Sequence, residues 1–281
     1  MKPVSSDTSL PIVMIHGAGL SSQSYDTIPD GRICWYEHFV RNYSPVYVVD
    51  QVGKARSGFN QAIFNRVQMG QEAPNKQPRF VCLGDRVAGW GNFRIGPKVG
   101  SSYPDTQFPL DSINNLSKAG IPDLSDSVPT PNPTYKILGL LSKKLGGAIL
   151  IGHSQSVAFP METALRFSSY VKGMISVEPG SCEDSKFTDE DIKTLSKIPL
   201  LVVYGDHLNT PTGLPSPGWP ERFSNCKVLI SRINKAGGKA QMMHLPEMGI
   251  KGNTHMMMWD ENNLEVADII ISWIHQNVKF K

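Results

Sequence analysis

The hydrophobic positions of this chain fall into short unbroken runs separated by amphipathic stretches. The first run, at residues 12–15 (IVMI), follows Pro11 and ends in His16-Gly17-Ala18-Gly19. Four more have the same form, at 46–50 (VYVVD), 148–152 (AILIG), 174–178 (MISVE) and 200–205 (LLVVYG), and a weaker one lies at 240–245 (AQMMHL). Runs of this length, apolar at nearly every position, predict parallel strands buried on both faces. Helical spacing appears between them: at 157–170 through Phe159, Ala164, Leu165 and Phe167, and at 184–197 through Phe187, Ile192 and Leu195. It is clearest at 262–278, through Leu264, Val266, Ala267, Ile270, Ile271, Trp273 and Ile274. Strands alternating with helices predict a doubly wound, mostly parallel α/β sheet with right-handed crossovers.

One stretch breaks the alternation. Almost 100 residues (51–147) separate the VYVVD and AILIG strands, where a crossover needs about 20 to 30. Within it, residues 56–135 hold nine Pro and eight Gly together with Phe59, Phe64, Phe80, Trp90, Phe93, Tyr103 and Phe108. That is too aromatic for a disordered linker. The reading is one domain spanning 1–281, with 56–135 as an ordered, loop-rich insertion serving as lid or wall. Residues 213–220 (GLPSPGWP) read as a second rim loop.

Composition narrows the function classes. Hydrophobic residues make 40% of the chain and charged residues 19%, with a net charge of +3. This excludes a disordered chain. No apolar run reaches the roughly 18 residues of a membrane span. Basic residues are scattered, so nucleic acid is not an expected partner. Cys34, Cys82, Cys182 and Cys226 form no CxxC pair, so neither a zinc site nor a thioredoxin-type motif is expected. They read as four buried thiols, with two disulfides as the alternative for an exported chain. The first ten residues carry one Lys and no apolar core, so no signal peptide is predicted. That favours the cytoplasm over a secreted chain shorn of its leader. A homodimer is compatible with the sequence.

The candidate chemistry centres on Gly152-His153-Ser154-Gln155-Ser156, directly after a strand and before a helix. That context is the nucleophile elbow, a sharp turn that exposes a serine above the sheet. Small residues must flank the serine two positions away on each side. Gly152 satisfies this, and Ser156 stands where Gly is usual. Ser154 is the candidate nucleophile. An oxyanion hole would use the backbone N–H of Gln155 and that of Ala18 in the loop after the first strand. His16 reads as a structural support of that loop. The base must follow in the chain. His255, in the loop before the last helix, is preferred to His244, which sits inside an apolar run. For the acid, Glu178 at the end of MISVE is preferred to Asp206, one residue past the Gly of LLVVYG.

HGAG, GHSQS, VEPG, YGDH and GNTHMMM followed by NNLEVADIII resemble the α/β-hydrolase superfamily, and more narrowly the bacterial carboxylesterase group related to esterase 713. The resemblance covers the sheet and its helices well and the insertion poorly. It implies a Ser nucleophile in GHSQ, a Glu acid in VEPG and a His in GNTHM, which are Ser154, Glu178 and His255. Where esterase 713 has a vicinal cysteine pair this chain has Ala18-Gly19, which removes the case for a disulfide there and keeps the backbone donor.

The expected activity is hydrolysis of a small-molecule carboxylic ester, or a lactone, through an acyl-enzyme on Ser154, with no cofactor and no metal. Trp35, Tyr36, Trp90, Phe93 and Trp219 are candidates for an apolar wall. A non-hydrolytic lyase or a ligand-binding protein on the same fold is the alternative. A dinucleotide-binding oxidoreductase fits less well. Its GxGxxG would be broken at Ser22, and its acid, Asp50, would come 28 residues after Ser22, against about 20 for the usual spacing.

Overall fold

Each apolar run becomes a strand because both of its faces meet apolar helices. In the computed structural model, which describes residues 2, 9–42, 44–58, 60–78, 88–123, 129–213 and 217–279, the chain runs β1 (Ile12–Ile15), α1 (Gln23–Asp26), α2 (Trp35–Arg41), β2 (Val46–Val49), α3 (Ala62–Gln68), α4 (Ile113–Ala119), α5 (Pro133–Lys144), β3 (Ala148–His153), α6 (Ala158–Phe167), β4 (Val171–Val177), α7 (Asp189–Leu195), β5 (Leu200–Tyr204), α8 (Trp219–Lys235), β6 (Ala240–His244) and α9 (Asn263–Asn277). The six strands form one all-parallel sheet in the order β2-β1-β3-β4-β5-β6.

Alternate strand residues supply two cores. Ile12, Met14, Ile149, Ile151, Ile175, Val177, Leu201 and Val203 pack on one face with α2 and α9. Val13, Ile15, Leu150, Met174, Leu200, Val202 and Tyr204 pack on the other with α5 to α8. Burial on both faces explains why the strands carry so few polar positions. Strand order reverses between β1 and β3, since the chain first runs outward to β2 and then returns past β1. A crevice opens at the carboxyl ends of the strands at such a switch point. The loops after β1 and β3 flank it.

Two expectations need correction, the rim loop and the four thiols. The rim loop at 213–220 gives way to helix at Trp219, because Pro220 stands in the first turn of α8, where a missing N–H costs nothing; its residues 214–216 lie outside the described set. The segment 56–135 contains α3, α4 and the start of α5 in its described part, while its Phe59, Phe80 and Cys82 lie outside. The cysteines are not all thiols. Cys182, after β4, is bonded to Cys226 of α8, and Cys34 is free and buried. Among the described residues no helix is long and apolar enough to cross a membrane.

The Cys182–Cys226 bond closes a loop with a sequence separation of 44, for which chain entropy gives about 4 kcal/mol. A Cys182→Ser/Cys226→Ser double variant should therefore lose up to about that much in urea unfolding. An unchanged midpoint would mean that the bond does not form.

Candidate active site

The elbow is built by close approach. After His153 the chain enters a 3-10 turn, Ser154–Val157, and then α6. Ser154 takes φ +55, a left-handed conformation that costs an L-residue about 1 to 2 kcal/mol. A Cβ on Gly152 would lie 2.3 Å from the Ser156 carbonyl oxygen, so only glycine fits there. A Cβ on Gly17 would lie 2.9 Å from both the Ser154 Cβ and His153 Nδ1. The loop after β1 is thus pressed against the serine.

Ser156, the departure from Gly, is fully buried and occupied. Its Oγ donates to the Ile15 carbonyl at 2.8 Å and accepts from the His153 N–H at 2.9 Å. The hydroxyl ties the elbow to the end of β1.

Four segments meet at Ser154. His255 Nε2 lies 2.9 Å from Ser154 Oγ, and His255 Nδ1 lies 3.0 Å from Glu178 Oε2. Glu178 leaves β4 with φ +53, and its Oε1 accepts from the Gly205 N–H at 2.5 Å. Asp206 is not brought to the histidine ring. Its carboxylate accepts from the backbone N–H groups of Gly252 (3.0 Å) and His207 (2.6 Å), and so fixes the segment that leads to His255. His244 stands at the end of β6, against Glu247 and Phe223. The ring of His255 is packed by Phe93, His153 and Trp219, with centroids 5.1, 4.8 and 4.7 Å away. His153 Nε2 lies 2.8 Å from the His255 carbonyl, where it donates. Trp35, proposed above for the wall, belongs instead to the core between Tyr25 and Phe39.

Burial governs the electrostatics. Burial alone would raise the Glu178 pKa, yet the charge of Arg94 and the bonds to His255 and Arg94 hold it down at about 2. His255 is lowered below the ordinary histidine value, first by burial; Glu178 opposes this, and the charges of Arg94 and Arg222 add to it. His153 is lowered to about 3 by burial and is neutral. Asp260 is raised to about 6 by burial, although it accepts from Asn253 Nδ2, Thr254 N and Thr254 Oγ1, which shape the turn before His255.

Three of these supports were not foreseen in the sequence. Arg94 comes from the insertion, and its only signal was a basic residue between Phe93 and Ile95. Lys54 is buried after β2. Its Nζ bonds Gln155 Oε1 at 2.8 Å and Asp123 at 3.0 Å, and Asp123 Oδ2 accepts from the Gly19 N–H at 3.1 Å. The residue after Ser154 and the loop after β1 are thereby braced by one ion pair. Asp260 carried no signal of its role either. His16 is buried and lowered to about 4, chiefly by burial. Its Nδ1 donates to the Gly17 carbonyl and its Nε2 accepts from the Gln51 N–H, supporting the loop from below.

No family model matches the chain. A solved structure described as the atomic resolution structure of a novel bacterial esterase is 40% identical, with a TM-score of 0.91 over 99% of this chain and 84% of that one. The chain belongs to the esterases of the α/β-hydrolase superfamily. It is a serine ester hydrolase acting on carboxylic esters. A fungal protein named "Probable secreted lipase phiG" (Fungal sp., strain ATCC 74256) is 24% identical over 95% of this chain and 82% of its own length. Est1E from Butyrivibrio proteoclasticus, solved with ferulic acid, shares the fold at 11% identity and a TM-score of 0.52.

The Ser156 tether yields a prediction. Ser156→Ala leaves the buried His153 N–H without its acceptor and should lower stability by about 1 to 3 kcal/mol in denaturant unfolding. A change below about 0.3 kcal/mol would show that the tether contributes nothing.

Proposed function

We propose that Ser154, His255 and Glu178 are the nucleophile, base and acid of the esterase. One observation carries the reading: the continuous chain from Ser154 Oγ through both ring nitrogens of His255 to a buried carboxylate. Ionised Glu178 accepts from Nδ1–H of His255, which leaves the lone pair of Nε2 facing the serine hydroxyl. Nε2 takes the Oγ proton as Oγ bonds to the ester carbonyl carbon, and the carbonyl oxygen becomes an oxyanion. The N–H groups of Ala18 and Gln155 receive that oxyanion, each worth about 2.7 to 4 kcal/mol in the transition state. The close seating of Gly17 on Ser154, and the Lys54–Asp123 brace, support this placement. The imidazolium returns its proton to the departing alkoxide, leaving an acyl-enzyme on Ser154. A water then gives a proton to Nε2 as it attacks the acyl carbon, and the imidazolium passes that proton to Oγ as the acyl–Oγ bond breaks, freeing the acid and restoring the serine and the neutral histidine.

The substrate is a small-molecule carboxylic ester, with lactones in the same chemical class. The insertion 56–135 acts as its wall, since Phe93 from that segment already packs on His255. The Cys182–Cys226 bond and the name of the fungal relative support an exported enzyme over the cytoplasmic location that the N-terminus favoured.

Ser154→Ala should reduce hydrolysis of p-nitrophenyl esters by about 10⁴-fold or more. Glu178→Gln should lose about 10⁴-fold in kcat, and Asp206→Asn far less. Full activity in Ser154→Ala, or a larger loss in Asp206→Asn than in Glu178→Gln, contradicts the assignment.

A further inference from the structure

Arg94 is fully buried, yet its hydrogen bonding is incomplete. Nε donates to the Asp206 carbonyl at 2.6 Å, and Nη2 makes an ion contact with Glu178 Oε2 at 2.6 Å. Nη1 is buried without a hydrogen-bond partner among the described residues. The guanidinium carbon stands 4.5 Å from the Trp219 ring centroid, and Trp219 in turn packs on His255. Arg94 itself holds φ +59. A buried, partly bonded cation in a disfavoured backbone conformation is costly, so fold stability alone is a poor reason for it. Its charge reaches the same oxygen, Oε2, that orients His255.

We infer that Arg94 is a positioning residue of the esterase: by pairing with Glu178 it fixes the carboxylate against His255 and makes that histidine less basic, extending activity to lower pH. The inference rests on the triad reading above. The sign follows from charge. Activity needs neutral His255. A carboxylate partner favours the imidazolium, and a cation on that carboxylate counteracts it. The other groups facing the pair are Arg222 of α8, which also lies 4.5 Å from the Trp219 centroid, His153 at the end of β3, Tyr204 of β5, and Asp260 before α9.

The test is the pH profile of kcat/KM on a p-nitrophenyl ester for wild type, Arg94→Met and Arg94→Lys. Arg94→Met keeps bulk beside Trp219 and removes the charge. Its acid limb should move to higher pH by about one unit, with kcat reduced, while Arg94→Lys should restore the limb to within a few tenths of wild type. A folded Arg94→Met whose limb does not move, or an Arg94→Lys limb that moves as far as that of Arg94→Met, overturns the proposal. If Arg94→Met does not fold, Arg94→Gln takes its place: a limb moved to higher pH supports the proposal, and a limb that coincides with that of wild type overturns it. Ser154→Ala, run alongside, separates the two readings: if it retains activity, the triad fails, and if it is inactive while the limb of Arg94→Met stays put, only the role of Arg94 fails.

Discussion

The site depends on one buried negative charge. Glu178 has no exposure to water, and an uncompensated carboxylate in that position would cost several kcal/mol or take up a proton. It stays ionised because three separate parts of the chain meet it: the Gly205 N–H after β5, His255 before α9, and Arg94 from the insertion. Satisfying this one group therefore fixes the relative position of two strand ends, the histidine loop and part of the wall. Gly205 illustrates how tightly: a Cβ there would lie 2.5 Å from the Asn253 carbonyl and 3.1 Å from Glu178 Oε1.

Backbone strain gathers at the same place. Of the five non-glycine residues with positive φ among those described, Ser154, Glu178, Arg94 and His207 all stand on the segments that build the site. Such conformations cost about 1 to 3 kcal/mol each and persist only where their surroundings over-determine them. The surroundings here are the switch point of a parallel sheet whose strands are buried on both faces, together with the Ser156 hydroxyl and the Lys54–Asp123 pair that brace the turns. The rigid sheet supplies position, and the loops at its carboxyl edge supply the chemistry.

What could be read from the sequence follows the range of the forces involved. The strands were legible because burial on both faces leaves a run apolar at nearly every position; β6, at the sheet edge with Gln241 exposed, was the faintest. α9 was legible from its wide apolar stripe. α8 was not, because its buried Trp219, Cys226, Leu229 and Ile233 are few among seventeen residues and it opens on a Pro-rich stretch that imitates a loop. Ser154 and Gly152 were legible because their constraint is local, within a few residues of the turn. Arg94 was not, because its partner Glu178 is 84 positions away and only the fold brings the two together. Lys54 and Asp123 were hidden for the same reason, and so was the Cys182–Cys226 pairing, which no spacing rule encodes.

The central claim is that Ser154 is the nucleophile held at the elbow above the sheet. The most direct measurement is stoichiometric labelling of the folded enzyme with a fluorophosphonate ester, followed by peptide mass spectrometry. A single adduct on the peptide that contains Ser154, formed in step with the loss of ester hydrolysis, is the predicted result. Complete inhibition with Ser154 unmodified, or an adduct on another serine, would contradict it.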